Sequence, residues 1–164
     1  MSTAQAAKRL LALCRARGLK IATAESCTGG LVAAALTDIA GSSDVVDRGF
    51  VTYSNDAKRE MLGVTPLTLE KSGAVSRETA VEMAQGALAH SDADLAVAIT
   101  GIAGPGGATP GKPVGLVHFA AAARGGRLVH RGKKYGDIGR RKVRQQSVDE
   151  ALAMLEVLAR SARR

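Results

Sequence analysis

Aromatic residues are almost absent from this chain of 164 residues, which has two phenylalanines, two tyrosines and no tryptophan. Proteins that bind single-stranded nucleic acid commonly stack bases on aromatic side chains, so this scarcity argues against that class. Apolar residues still make up 46% of the chain, and its core must therefore consist of alanine, valine, leucine and isoleucine. The length is that of one ordinary domain, and we expect residues 1–164 to form one.

Cysteine and long apolar runs are also scarce. The two cysteines, Cys14 and Cys27, make no disulfide framework, and we expect a cytoplasmic location. No apolar run approaches the roughly 18 residues of a membrane span, so no membrane partner is expected. The three histidines, His90, His118 and His130, lack the spacing of metal ligands, and we expect no metal site.

Acidic residues are missing from the first 24 positions, and the chain carries a net charge of +8. The basic excess is concentrated between Arg124 and Arg144, where nine basic residues accompany one acid, Asp137. Such a stretch can attract nucleic acid or a phosphorylated small molecule. A solvated basic face explains it equally well.

The order of predicted elements indicates an α/β fold. Apolar residues at helical spacing predict a first helix that ends at Gly18, and a strand follows over 19–25. We therefore expect a single domain with a mixed β-sheet covered by helices on both faces. The other predicted elements are helices over 31–40, 77–89 and 140–159, a short helix capped by Asn55 or Asp56 that ends at Gly63, a helical turn at Pro66, strands over 45–54 and 94–100, and an antiparallel hairpin over 114–135.

The segment TAESCTGG (23–30) joins the first strand to the second helix. It is not a Walker A loop, and it lacks the glycine that a nucleophile elbow has two positions before its serine. The hydroxyls of Ser26 and Thr28 and the backbone of Gly29 and Gly30 could surround an anion at the start of the helix. A plain N-cap by Ser26 or Thr28 explains the same residues.

Two further stretches carry candidate chemistry. Ser43 and Lys58 flank the second predicted strand, and Tyr53 lies near its end. A serine–lysine pair can attack an amide when burial keeps the lysine neutral. Thr100 and Gly101 end a buried strand and open a glycine-rich loop, and ligands of α/β proteins bind at such strand ends. A solvated lysine and a flexible surface loop are the structural alternatives.

Three stretches in register, TAESCTGG, GFVTYSNDAK and GAVS…AITGIAGPGG, resemble the CinA C-terminal domain family over residues 5–160. The resemblance implies a hydrolase that converts nicotinamide mononucleotide to nicotinate mononucleotide and ammonia, with no metal and no cofactor. Some relatives carry a second, N-terminal domain, and this chain is similar to the form without it.

The resemblance also implies roles for individual residues. Ser43 is expected to be the nucleophile, in preference to Ser26, with Lys58 as its base and Tyr53 as an orienting or proton-relaying group. Because eight residues of strand span about 26 Å, Ser43 and Lys58 can meet only across a short or bent strand, or between subunits of a homo-oligomer, which we expect. The implied substrate-binding residues are Ser26, Thr28, Gly29, Gly30, Thr100, Gly101 and Arg144, with Arg140 as the rival of Arg144.

A nucleic-acid-binding protein of DNA uptake or repair is the alternative from another class. The basic stretch and the family name (competence and damage inducible) favour it, and the missing aromatic residues oppose it. A nucleotide sensor without catalysis is a third possibility. We expect a small-molecule substrate and no nucleic-acid partner.

Overall fold

Five strands form one mixed sheet in the computed structural model, which describes residues 1–162. β1 pairs in parallel with both β2 and β3, while β4 runs antiparallel to β3 and to β5. The spatial order is β2-β1-β3-β4-β5, and the predicted mixed sheet is confirmed. The strands are β1 (Ile21–Glu25), β2 (Val46–Val51), β3 (Leu95–Gly101), β4 (Leu116–Ala123) and β5 (Leu128–Lys134).

The helices begin and end at the residues that favour helix termini. The hydroxyls of Ser54, Thr65 and Ser76 accept hydrogen bonds at three N-termini, and Gly18 ends the first helix in the left-handed conformation. No helix within residues 1–162 is long and apolar enough to cross a membrane. The helices are α1 (Thr3–Arg17), α2 (Leu31–Thr37), α3 (Asn55–Leu62), α4 (Pro66–Ser72), α5 (Arg77–Ala89) and α6 (Arg140–Ser161).

α2 and β2 are each shorter than the sequence predicts. α2 ends at Thr37, and residues 38–45 form turns that include a 3-10 turn at Ser42–Asp44. β2 begins at Val46 and ends at Val51, where its parallel pairing with β1 also ends. The residues beyond β2 therefore leave the sheet and can turn towards a site above its edge.

The two faces of the sheet carry side chains of different size because residues alternate along each strand. One face presents Ile21, Val97 and Phe119 to α1, α2 and α6. The opposite face is almost all alanine, including Ala22 and Ala98, and lies against α3 and α5. Small side chains there let α5 approach the sheet closely.

The connections from β1 define where a ligand can bind. After β1 the chain passes through α2 on one face of the sheet to reach β2. After β2 it passes through α3, α4 and α5 on the other face to reach β3. The carboxyl ends of β2, β1 and β3 therefore share one edge, and the connections diverge there to opposite faces. Ligands of open α/β sheets bind at such a switch point.

Candidate active site

A cavity of about 300 Å³ opens at the shared carboxyl ends of the three parallel strands. This volume lies at the lower end of the range for small-molecule sites. Ser26 follows β1, Lys58 follows β2, and Thr100 and Gly101 end β3, so each strand supplies one wall. The other lining residues are Cys27, Tyr53, Asn55, Ala74, Val75, Ile102, Ala103, Gly104, Gly106, Gly107 and Arg140.

The buried pair Ser26 and Lys58 lies at the base of this cavity. Lys58 Nζ is 3.0 Å from Ser26 Oγ. The Ser26 backbone N–H donates to the Ile99 carbonyl, which fixes the serine above β3. Lys58 lies in the first half of α3, and only 1% of it is exposed.

Burial favours the neutral amine form of Lys58, which is the form that can accept a proton. Removal from water disfavours the ammonium form and lowers the pKa of Lys58 below 10.5, and Cys27 opposes this shift. Burial also raises the pKa of the Cys27 thiol to about 11, despite its own backbone N–H, Arg144 and Lys58. The thiol therefore stays protonated near neutral pH and does not hold the lysine in its charged form.

Two backbone carbonyls orient the amine of Lys58. Nζ lies 3.0 Å from the Thr52 carbonyl oxygen and 3.2 Å from that of Tyr53. A neutral amine has two N–H donors and one lone pair, and carbonyl oxygens can only accept. With both hydrogens directed to these carbonyls, the lone pair faces Ser26 Oγ, which is the arrangement a general base needs.

Arg140 and Tyr53 lie at the mouth of the cavity. Arg140 donates from Nη2 to the Tyr53 hydroxyl at 2.8 Å and from Nη1 to the Gly104 carbonyl at 2.8 Å. Tyr53 is 58% exposed, so its hydroxyl belongs to the entrance, while its carbonyl holds Lys58. The Arg140 guanidinium is the cationic group placed to meet an anionic part of a ligand.

Thr100 contributes an oriented hydroxyl to the wall formed by β3. It is 1% exposed, and its Oγ1 donates to the Ala74 carbonyl at 2.7 Å. This hydrogen bond joins β3 to the loop before α5, which forms the opposite wall. Thr100 and Gly101 thus line the cavity at the carboxyl end of β3.

The start of α2 is not the anion site that the glycine turn (residues 26–30) suggests, because the Glu25 carboxylate occupies it. This carboxylate accepts from the N–H groups of Gly30 at 3.2 Å, Val32 at 2.9 Å and Ala33 at 3.1 Å. Gly30 is the N-cap in a left-handed conformation, without a side-chain cap. The expected cap by Ser26 or Thr28 is therefore wrong, since a buried carboxylate satisfies these donors.

The side chains of Arg144 and Thr28 lie behind the turn and do not line the cavity. The Arg144 guanidinium donates to the Cys27 carbonyl from Nε at 3.0 Å and to the Thr28 carbonyl from Nη2 at 3.2 Å. The Thr28 hydroxyl is buried, with no hydrogen-bond partner among residues 1–162. Of the two rival arginines, Arg140 lines the cavity and Arg144 does not.

The predicted contact between Ser43 and Lys58 requires correction. Ser43 is exposed in the 3-10 turn that precedes β2, at the amino end of the strand. Lys58 lies beyond the carboxyl end, and six residues of strand separate the two positions by about 20 Å. The strand is not bent back. Instead, parallel pairing of β1 and β2 brings Ser26 to Lys58 within one chain, which removes the reason for expecting a shared site in an oligomer.

A second cavity, of about 390 Å³, lies at the opposite end of the sheet beside Leu19, Arg124 and Leu158. Both arginines that line it are already engaged. Arg124 Nη2 donates to the carbonyls of Leu88, Ser91 and Ala93, and Arg127 Nη1 donates to Ser161 Oγ at 3.4 Å. No nucleophile paired with a base lines it among the residues that the structure describes. The chemistry of the molecule is concentrated in the cavity at Ser26.

Comparisons with known proteins agree with this architecture. The family model described as CinA C-terminal domain matches residues 3–159. The nicotinamide-nucleotide amidohydrolase PncC of Escherichia coli K12 is 55% identical over 142 residues, which cover 86% of this chain and 85% of that protein. The crystal structure of competence/damage inducible protein CihA from Agrobacterium tumefaciens is 58% identical, with a TM-score of 0.94, and the match covers 96% of this chain and 99% of that one.

A longer relative contains a similar segment. A putative competence-damage inducible protein of Acetivibrio thermocellus is 52% identical over 137 residues, which are 84% of this chain but 33% of that protein.

Proposed function

The chain belongs to the CinA C-terminal domain family, and from this premise we infer that it hydrolyses the carboxamide of nicotinamide mononucleotide to nicotinate mononucleotide and ammonia. The observation that carries this inference is the buried Lys58 amine 3.0 Å from Ser26 Oγ, in a cavity at the switch point of the sheet. The relative at 55% identity is named for an activity on this class of compound.

We propose Ser26 as the nucleophile and Lys58 as its general base. Lys58 takes the proton of Ser26 Oγ as the oxygen attacks the carboxamide carbon, and the ammonium so formed gives a proton to the leaving ammonia. Water then attacks the acyl-enzyme, Lys58 accepts a proton from that water, and Ser26 regains its hydrogen as the ester breaks. The positive pyridinium ring of the substrate makes its own amide more electrophilic and favours neutral Lys58.

The remaining cavity residues have supporting roles in this proposal. Arg140 binds the substrate phosphate, exchanging its contacts with Tyr53 and Gly104 for charge-assisted hydrogen bonds. Tyr53 contributes its carbonyl to the orientation of Lys58, and Thr100 positions the amide from the side of β3. The positive charge of the chain favours the approach of an anionic substrate.

We also propose that the protein is located in the cytoplasm and that the chain forms a single domain. Both cysteines are free thiols buried in the fold, as is typical of proteins in a reducing compartment.

Nucleic-acid binding receives less support than amide hydrolysis. Several cations of the basic stretch are engaged within the fold: Arg124 binds backbone carbonyls, Arg131 pairs with Glu150 at 2.7 Å, and Arg144 binds the glycine turn. These groups do not form one free basic surface along a sheet or helix.

Ammonia release from nicotinamide mononucleotide tests the proposal, with Ser26→Ala, Lys58→Met and Ser43→Ala measured beside the wild type. We expect loss of kcat by at least about 1,000-fold for the first two variants and near wild-type rates for Ser43→Ala, the matched control on an exposed turn. A wild type that releases no ammonia would refute the activity. Loss in Ser43→Ala with retention in Ser26→Ala would refute the assigned nucleophile.

A further inference from the structure

Two backbone N–H groups directly after Ser26 are left without a partner elsewhere in the described chain. Neither the Cys27 N–H nor the Thr28 N–H donates to another residue within residues 1–162. Unpaired amides beside a buried site are uncommon and need an explanation. The next five amides are all occupied: Gly29 binds Ser26 O, Leu31 binds Thr28 O, and Gly30, Val32 and Ala33 bind Glu25.

We propose that the N–H groups of Cys27 and Thr28 form the oxyanion hole, and that Arg144 is the positioning residue that orients them. The inference rests on the proposed function, with Ser26 as nucleophile. When Ser26 Oγ bonds to the carboxamide carbon, the former carbonyl oxygen becomes negative and lies only two bonds from Oγ. The amides of the next two residues are the nearest backbone donors along the chain, and such donors stabilise the charge that develops there.

Arg144 fixes the direction of the Thr28 amide through the geometry of the peptide bond. In a trans peptide the C=O and N–H groups point in opposite directions. Because Arg144 Nε holds the Cys27 carbonyl at 3.0 Å, the N–H of Thr28 in the same peptide unit points away from α6. A carbonyl that accepts a hydrogen bond from a cation also polarises its peptide unit, which makes that N–H a stronger donor.

Glu25 limits which amides near Ser26 can bind the oxyanion. Its carboxylate already satisfies the amides at the start of α2, so those amides are not available to a developing negative charge. Within this turn, the donors that remain are the two amides between Ser26 and Gly29. Arg144 holds the carbonyl side of this segment, and the cavity lies at Ser26 and Cys27.

Pyridine-3-boronic acid tests the donors in the wild-type protein. Its boron accepts the Ser26 Oγ lone pair as Lys58 takes the hydroxyl proton, which gives a tetrahedral, negatively charged boronate without a leaving group. One boronate oxygen then occupies the oxyanion position. We expect the amide protons of Cys27 and Thr28 to shift downfield in ¹H–¹⁵N NMR spectra, and to remain unshifted in Ser26→Ala. A boronate attached to Ser26 that instead shifts the amides of 101–104 would overturn the inference.

Kinetics of Arg144 variants test its positioning role. We expect Arg144→Lys and Arg144→Gln to lower kcat about 10- to 100-fold while the KM for nicotinamide mononucleotide changes little, because an oxyanion donor acts mainly in the transition state. Arg141→Gln is the matched control, since Arg141 is an exposed arginine on the same helix. The melting temperatures of the Arg144 variants show whether a loss of kcat comes from misfolding or from misoriented amides in a folded protein.

The outcomes distinguish this inference from the proposed function. A raised KM with unchanged kcat in both Arg144 variants would make Arg144 a substrate-binding residue and overturn its positioning role. A wild type that releases no ammonia and binds no boronate would overturn the amidase assignment, and the oxyanion hole with it. If the wild type is active but the amide protons of Cys27 and Thr28 do not shift when the boronate binds, the proposed oxyanion hole is wrong and the amidase assignment stands.

Discussion

The Nζ atom of Lys58 lies 3.0 Å from the Oγ atom of Ser26, although 32 positions separate the two residues in the chain. Parallel pairing of β1 with β2 explains the contact, because Ser26 directly follows one strand and Lys58 follows the other after one helical turn. The amine is buried, and a buried amine costs free energy when it is charged. This cost has consequences that can be measured.

Stability should depend on pH through Lys58. Burial lowers its pKa in the folded state below 10.5, so the unfolded chain takes up the proton first as the pH falls. The folded state therefore loses stability from about pH 10.5 down to the folded pKa, by at most about 1.4 kcal/mol per pH unit. Denaturant titrations of the wild type and of Lys58→Met give the difference between their free energies of unfolding at each pH. We expect the stability of the wild type relative to Lys58→Met to fall as the pH is lowered from 10.5 to 7.

Lys8→Met is the control for this measurement, because Lys8 is exposed on α1. The difference in unfolding free energy between Lys8→Met and the wild type should show no comparable dependence on pH. A constant difference between the wild type and Lys58→Met across the same range would mean that burial leaves the pKa of Lys58 unchanged.

Arg140 should control substrate affinity and not the chemical step. Replacing it with glutamine removes the cation at the mouth of the cavity, and a hydrogen bond to a charged group contributes about 1.5–3 kcal/mol. We expect Arg140→Gln to raise the KM for nicotinamide mononucleotide about 10- to 100-fold with little change in kcat. Steady-state kinetics at several substrate concentrations measure both constants.

Tyr53→Phe provides the comparison at the same entrance. It removes the hydroxyl that Arg140 contacts but keeps the backbone carbonyl that holds Lys58. We expect kcat close to that of the wild type. A large loss of kcat in Tyr53→Phe would restore the proton-relay role that the family resemblance implies for this tyrosine.

Glu25 should be required for the stability of the glycine turn. Glu25→Ala leaves the buried N–H group of Val32 and the partly buried N–H group of Ala33 without acceptors and removes a charge-assisted cap. We expect a loss of about 2–4 kcal/mol in the free energy of unfolding by denaturant titration. Glu25→Gln keeps one acceptor oxygen and should lose less. Equal stability of Glu25→Ala and the wild type would contradict the assigned cap.

Much of the fold could be predicted because local signals and the global topology agree. Gly18, Ser76 and the apolar run before Thr100 mark boundaries that the structure confirms. The mixed sheet and the helices on both faces follow from the order of these elements. Strand ends were less predictable, since the pairing of β2 with β1, and not the composition of 45–54, sets where β2 stops.

The site was harder to predict because its contacts are long-range. The motifs contain both Ser26 and Lys58, but the family resemblance implied Ser43, and not Ser26, as the nucleophile. The signal that could have found the pair is the position of each residue relative to its strand: Ser26 and Lys58 follow parallel strands, whereas Ser43 precedes one. Glu25 was overlooked because nothing in the sequence shows that a strand-end carboxylate turns back to cap the next helix.

His118 and His130 form a second pH-dependent pair, on β4 and β5. His118 Nδ1 lies 2.9 Å from His130 Nε2, and the half-buried rings stack with centroids 5.2 Å apart. Burial lowers both pKa values below 6.5. Repulsion from His130 and Lys112 adds to the shift at His118, and repulsion from Arg77 adds to it at His130, while Glu78 opposes both shifts.

This pair should make the protein less stable in mild acid. As the pH falls through 6.5, the unfolded chain protonates first, and stability declines from that point downwards. Double protonation also removes the acceptor nitrogen of the N–H···N hydrogen bond. We expect the melting temperature to fall more between pH 7.5 and 5.5 in the wild type than in His130→Gln. His90→Gln, at the end of α5, is the control, and it should keep the wild-type dependence. The same decline in His130→Gln as in the wild type would show that the pair does not set the acid sensitivity of the fold.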